Sequence, residues 1–406
     1  MKILLSISWR NIWRHPARSG VLMGAIIAGI WAGIFVSSWA NGLIVQRIYR
    51  VIQEELTHVQ IHHPDFLSER EPGMVLESVN ELFDFLEKDE RVRNFSARTL
   101  SDGMIQSPLA SFGVQISGIN RESETSTTLF HENLEEGEYL NSAVRNPVVL
   151  GRTLAEKLNV EIGNRIVLSF QDLENELISG SFNITGTFYT GQPKYDENRV
   201  FVRSEDLSNM ISNNLVYHEI AIMLHDAEQS SEISKDLNRE FDELSAEIWT
   251  ELSPELRYMT GASESYSFYV MVVIMFALAF GILNTMLMAI FERMRELGML
   301  MAIGMSKMRV FIMIMTESVI LTLTGAVIGM LVAYGTINFY SERGIDLTSV
   351  GGDTLKEWGY DALVYPTVSV EEYVSITVLV IATALLAAIY PAIKALRLNP
   401  GEVVKE

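Results

Sequence analysis

Four long apolar runs, broken by one large acidic block, decide what this chain can fold into. The runs are Val21 to Val45, Tyr266 to Phe291, Val310 to Phe339 and Tyr373 to Ile393. Each reaches or exceeds the roughly 20 residues that cross about 30 Å of hydrocarbon as a helix. Helices buried in a soluble core are a poor account of runs this long. Residues 46–265 carry 18 basic and 39 acidic side chains, whereas the whole chain has 31 and 51. That split excludes a single soluble globule. It also excludes a nucleic-acid binder, because the acidic block would repel phosphate and no basic stripe is present. The absence of cysteine removes a disulfide scaffold, thiolate zinc sites, a cysteine nucleophile and a lipobox anchor.

Orientation follows from lysine and arginine near the span ends. The first segment has Lys2, Arg10, Arg14 and Arg18 without an acid. The loop after the second run has Arg293, Arg295, Lys307 and Arg309, and the tail has Lys394, Arg397 and Lys405. The loop Tyr340 to Glu372 has only Arg343 and Lys356 against a cluster of acids. Both termini and the Arg293–Arg309 loop are therefore expected in the cytoplasm, and the acidic block outside. The first run is too long for the apolar region of a removable signal peptide.

The expected division is a cytoplasmic interfacial elbow helix at 1–18 and a first transmembrane helix at 19–45, followed by an outer stalk. An extracytoplasmic domain at 46–265 has room for two subdomains. Transmembrane helices follow at 266–291, 310–339 and 373–393, separated by a cytoplasmic loop at 292–309 and an outer loop at 340–372. The tail is 394–406. In the elbow, Leu5, Trp9, Ile12 and Trp13 share one helical face and Arg10 and Arg14 another, the pattern of a helix lying on the inner leaflet.

In the outer block, Thr57–His62, Phe112–Ile119, Arg165–Phe170 and Phe182–Phe188 alternate as strands. Val79–Leu86, Arg152–Leu158 and Glu228–Leu244 read as helices, and Ala246–Leu256 as a helical stalk broken at Ser253-Pro254. The fold class is a membrane α-helical protein of four transmembrane helices. A large α+β extracytoplasmic domain is inserted between helices 1 and 2.

Several chemistries have no motif. There is no phosphate-cradling G-x-x-x-x-G-K-[ST], no H-E-x-x-H and no G-x-S-x-G, so neither a catalytic residue nor a metal site is expected. His58, His62 and His63 form the one histidine cluster; a polar strand face accounts for it better than a metal pair. Eleven of the 19 methionines fall between Met271 and Met315, which suits flexible packing between membrane helices.

The loop Glu292-Arg293-Met294-Arg295-Glu296-Leu297-Gly298-Met299-Leu300-Met301-Ala302-Ile303-Gly304-Met305-Ser306 resembles the R-x-R-E-[IL]-G-x-x-x-A-[IL]-G-x-[ST] signature of FtsX-like permeases. These are the membrane subunits of MacB-type (type VII) ABC transporters. Tyr390-Pro391-Ala392 through Pro400 resembles that family's closing motif, and Glu317, Gly325 and Gly329 also match its pattern. Leu300 and Met301 stand where relatives often carry arginine. Val149–Ala155, Gly163–Ile166 and Phe182–Phe188 resemble the lipoprotein-releasing, LolC/LolE-like branch. One of the two permeases of that branch has a carrier-capturing hairpin hook where Gln171–Gly180 lies. The segment here is shorter, lacks proline and reads as a plain hairpin.

The resemblance implies a MacB-like periplasmic core domain at 46–265 and a multi-pass protein of the bacterial inner membrane. It implies a permease that couples ATP hydrolysis in a separate ATPase dimer to extraction or release of lipoproteins or similar amphiphiles. The chain itself is then not an enzyme and holds no cofactor; ATP and Mg belong to the partner ATPase. A second permease copy or a paralogue completes the dimer, the bilayer surrounds it, and a lipoprotein substrate and a periplasmic carrier or adaptor are further candidate partners. The ATPase-coupling residues are Arg293, Arg295, Glu296, Gly298, Ala302 and Gly304, with the two glycines permitting close backbone approach. The substrate path is Gly29, Ile30, Ala32, Gly33, Phe35, Val36 and Ile48. For Glu317, a functional intramembrane acid and a partner for Arg309 or Lys307 both stay open. The competing functions are tripartite efflux of peptides or drugs, and a transmembrane signal transmitter that controls a cell-wall hydrolase.

Overall fold

The structure is a computed structural model that describes residues 16–212, 214–357 and 360–396. The elbow and the end of the closing motif, from Arg397 onward, lie outside the described residues. Two compact units are present. One is the membrane unit, residues 1–45, 259–347 and 363–406; the other is the outer unit, 46–258 with 348–362.

Among the described residues, four helices are long and apolar enough to cross a membrane. They are the first helix Pro16–Val51, the second Pro254–Glu292, the third Lys307–Arg343 and the fourth Val370–Leu396. The second begins well before the apolar run, because Ser253 and Pro254 act differently from expectation. The Ser253 hydroxyl accepts from Leu256 N at 3.3 Å, and Pro254 occupies the first helical turn. There its missing N–H costs nothing, so the pair opens a helix rather than breaking one.

Within the membrane unit, small residues set the packing. Gly325 faces Ile26, and Gly329 faces Ile27 and Ile30. Ala384, Ala388 and Ala392 of the fourth helix are buried in the same cluster as Ala326 and Ala333 of the third. Such positions let backbones approach where lipid offers no hydrophobic drive for association. Of the methionines, Met271, Met275, Met286 and Met313 are buried in this cluster.

The outer unit is built on strands β1 (Val59–His62), β2 (Val92–Gln106), β3 (Ser111–Ile119), β4 (Leu134–Gly137), β5 (Pro147–Gly151), β6 (Arg165–Gln171), β7 (Leu177–Phe188), β8 (Arg199–Arg203), β9 (Glu219–Leu224) and β10 (Ser245–Ile248). They form one mixed sheet in the order β10-β1-β9-β2-β3-β8-β5-β7-β4, with β6 pairing β2 and β7. The β3–β8 and β5–β7 pairs are parallel, and the others antiparallel. β2 ties the sheet together: its first half pairs β9, and from Arg98 onward it pairs β3.

Separate apolar clusters cover the two ends of this sheet. Val59, Ile61, Ile220 and Ile222 pack with Leu82 and Leu86 of helix Val79–Lys88 and with Ile233 and Leu237 of helix Ser230–Glu240. Val148, Leu150, Leu168 and Phe182 pack with Leu154 and Leu158 of helix Arg152–Leu158 and with Leu207 of helix Ser204–Ser212. Each fully buried aliphatic side chain contributes about 1.5–3 kcal/mol, so these clusters dominate the domain's stability. In a third cluster Phe130 lies tilted against Phe201 and edge-to-face with Phe188, with centroids 4.3 and 4.9 Å apart.

Two local expectations are corrected. Residues 246–248 are strand β10, not stalk helix, because Ala246 pairs with Ile61 of β1; only Trp249–Leu252 is helical before Ser253. The helix expected over Glu228–Leu244 ends at Glu240. Gln171–Gly180 forms the turn and arms of the β6–β7 hairpin, in register as far as Gln171 opposite Leu177. The Asp172 side chain accepts from the N–H groups of Glu174 and Glu176 at 2.9 Å each.

Candidate functional site

The segment between the second and third spanning helices folds as a helix of its own, Met294–Ala302. Arg293 breaks from helical geometry at φ −99° and caps it; Leu297 N donates to the Arg293 carbonyl at 3.0 Å. At the far end Gly304 sits at φ +107°, a conformation that side chains with a Cβ rarely adopt. A Cβ there would meet nothing within 4 Å. Gly304 thus suits the turn into the third helix, and it leaves open space beside the backbone.

The six coupling residues do not share one face. Leu297 and Gly298 are buried against the membrane unit, and Arg293 is only 12% exposed. Its Nη1 donates to both carboxylate oxygens of Glu317 at 3.0 Å, and its Nε lies 3.6 Å from Glu296. Glu317 therefore has Arg293 as an ion-pair partner. Arg295, Ala302 and Gly304 are on the exposed side. They stand with three apolar side chains that the sequence reading did not single out: Met299, Ile303 and Met308, exposed by 53, 83 and 65%. The signal was available in the helical spacing of 295, 299 and 302–303.

Along the first helix, the expected path residues divide. Ile30 is fully buried, Gly29 lies against Leu278 of the second helix, and Gly33 against Met271 and Ile376. These three pack the chain's own bundle. Ala32, Phe35, Val36 and Ile48 are partly exposed. The Phe35 ring stacks on Trp31 at 5.5 Å, and the Trp31 indole N–H donates to Thr336 at 3.0 Å.

In the outer unit, charged groups distant in sequence converge beside the turn Ile52–Leu56 that follows the first helix. Arg98 donates to Glu124 through Nε (3.0 Å) and Nη2 (2.6 Å), and through Nη1 to Glu219 (2.6 Å) and to the Glu55 carbonyl (3.2 Å). Arg199 pairs with the Glu55 carboxylate at 3.0 Å. Burial alone would raise the Glu219 carboxyl, but Arg98 and His62 outweigh it and hold it at about 2. Burial opposes the charge on Arg98 as well, yet its two carboxylate partners keep it above the ordinary arginine value. Beside this network opens a cleft of about 1080 Å³, lined by Arg47, Arg70 and Lys194 as well as Asp102 and Glu255. The sequence alone does not reveal this network, because Arg98 lies 26 positions from Glu124 and 121 from Glu219.

The three histidines have separate tasks. His58 Nδ1 accepts from Leu224 N at 3.0 Å, His62 Nε2 faces Glu219 at 3.1 Å, and His63 Nδ1 accepts from Asp65 N at 3.2 Å. Among the described residues no group of three or more His, Asp or Glu side chains is arranged to hold a metal ion.

Residues 19–240 match the MacB-like periplasmic core domain, and residues 268–400 match the FtsX-like permease C-terminal region. An uncharacterized ABC transporter permease of Methanocaldococcus jannaschii is 23% identical over 67% of this chain and 65% of its own length. The lipoprotein-releasing system transmembrane protein LolC of Xylella fastidiosa is 22% identical over 71% of this chain and 72% of its own. The crystal structure of the periplasmic region of MacB from Actinobacillus actinomycetemcomitans is 12% identical with a TM-score of 0.35, covering 50% of this chain and 94% of that one.

Proposed function

The chain belongs to the family of ABC transporter permeases that joins a MacB-like periplasmic core domain to an FtsX-like C-terminal region, and from that premise we propose that it converts ATP-driven motion of a separate ATPase into movement of its outer domain on an amphiphilic, lipid-anchored substrate. The observation that carries this reading is the separate helix Met294–Ala302, which with its C-cap Ile303 offers Arg295, Met299 and Ile303 outward between two spanning helices. An apolar tip beside a cation suits insertion into a groove of a partner subunit.

In this reading both termini face the cytoplasm, two permeases associate, and the ATP and Mg sit in the ATPase. Extraction of one acyl chain opposes about 0.8 kcal/mol per CH₂, an energy that calls for a motor rather than a passive pore. Ala32, Phe35, Val36 and Ile48 are the part of the first helix open to such a chain, and Gly29, Ile30 and Gly33 hold that helix in place behind them. Lipoprotein as the cargo is supported by the likeness to a LolC protein.

The test is reconstitution in nanodiscs with an ATPase subunit and a fluorescent lipoprotein. ATP-dependent release of the lipoprotein is expected, with no ATP hydrolysis by the permease alone. Release that ignores ATP, or transport of a soluble peptide with no effect on lipoprotein, contradicts this function.

A further inference from the structure

An ion pair lies behind the helix that joins the second and third spanning helices. A helix of nine residues, Met294–Ala302, is too short to be stable by itself. It is not a continuation of the second spanning helix, because Arg293 interrupts the helical geometry between them. Its position therefore depends on what its inner face touches. That face presents buried Leu297 and, at its start, the Arg293 guanidinium bound to both oxygens of Glu317. Glu317 lies ten residues into the third helix, about 15 Å along its axis. Arg293 and Glu317 are 12% and 15% exposed, so neither carboxylate nor guanidinium can readily exchange its partner for water. Losing one member leaves the other charge poorly solvated.

We propose that the Arg293–Glu317 pair is a positioning clamp that fastens the cytoplasmic helix to the third spanning helix and makes that helix the member driven by the ATPase. The inference rests on the permease function proposed above. The third helix can pass motion on, since Gly325 and Gly329 lie against Ile26 and Ile30 of the first helix. Arg293 is thus a positioning residue, and contact with the ATPase falls to the exposed Arg295, Met299 and Ile303.

Two readouts test the clamp. In the full-length permease in nanodiscs, without ATPase, hydrogen exchange of amides 297–302 is compared between wild type and Glu317→Gln. At least tenfold faster exchange is expected there, with residues 320–335 at wild-type protection. With an ATPase bound, substrate released per ATP hydrolysed is expected to fall at least fivefold in Glu317→Gln and in Arg293→Gln, while hydrolysis continues. The double exchange Arg293→Glu with Glu317→Arg is expected to restore both readouts to within twofold. Wild-type exchange in Glu317→Gln, or a double exchange that restores neither readout, overturns the clamp. Failure of the wild-type permease to bind any ATPase overturns the permease function instead, and the exchange measurement still decides the clamp.

Discussion

Arg98 and Glu124 form a two-pronged ion pair inside the outer domain, with Nε 3.0 Å from Oε2 and Nη2 2.6 Å from Oε1. The third nitrogen of Arg98 reaches Glu219 and the carbonyl of Glu55, so one side chain joins β2, β9 and the turn Ile52–Leu56 that follows the first helix. The end of the stalk and the sheet are in this way held by charge, and not by apolar packing alone.

Arg98→Met should therefore destabilise the protein by about 3–5 kcal/mol, because it strands two buried carboxylates. Replacing Arg98, Glu124 and Glu219 together by apolar residues of similar volume should cost much less. Thermal unfolding of the full chain in detergent, followed by tryptophan fluorescence, compares the two. A triple variant as unstable as Arg98→Met would contradict the stranded-charge account.

The same network makes stability depend on acid. Glu219 titrates at about 2 in the folded protein against 4.5 ordinarily. A carboxyl held below its unfolded value contributes its full share above pH 4.5 and loses it as pH falls toward 2, a few kcal/mol in all. The melting-temperature gap between wild type and Glu219→Gln should thus be widest at pH 6–7 and narrow below pH 4.5. A gap that widens on acidification would contradict the role given to Arg98.

Strand β10 is the edge of the ten-stranded sheet, and Asn238 closes that edge. Its amide donates to the Ala246 carbonyl at 2.9 Å, and its side-chain oxygen accepts from Ala246 N at 2.8 Å, standing in for a neighbouring strand. Glu251 takes Ile248 N at 3.1 Å. Unpaired edges recruit other chains. Asn238→Ala, together with Glu251→Ala, should increase self-association of the full chain in light scattering; an unchanged mass distribution would show that the edge needs no cover.

Gly304→Ala places a Cβ where φ is +107°, a cost of about 1–2 kcal/mol. The turn into the third helix should relax and reorient helix Met294–Ala302. ATPase stimulation by the permease is expected to drop severalfold at unchanged melting temperature of the outer domain. Wild-type stimulation would mean that this turn does not set the helix direction.

The four spans were legible because lipid demands long uninterrupted apolar helices, and nothing else in the chain imitates them. The strands at Phe112–Ile119, Arg165–Phe170 and Phe182–Phe188 were legible from alternation. β2 was not, because Ser96, Arg98, Thr99 and Ser101 are buried polar residues that spoil its pattern. β9, Glu-Ile-Ala-Ile-Met-Leu, is buried on both faces and does not alternate. At helix Met294–Ala302 the motif identified the segment. It could not separate Arg293, which turns inward to Glu317, from Arg295, which faces outward, since which way each points depends on the break at Arg293. Glu317 was visible as an unusual intramembrane acid, but its partner is fixed by the fold.

The central claim is that the outward face of helix Met294–Ala302 receives the ATPase. A photo-crosslinking amino acid placed at Ile303 or at Leu297 of the full-length permease, in cells that also make an ATPase subunit, tests it most directly. The account predicts an ATPase adduct from Ile303, which is 83% exposed, and none from Leu297, which is 4% exposed. An adduct from Leu297, or none from Ile303, would contradict it.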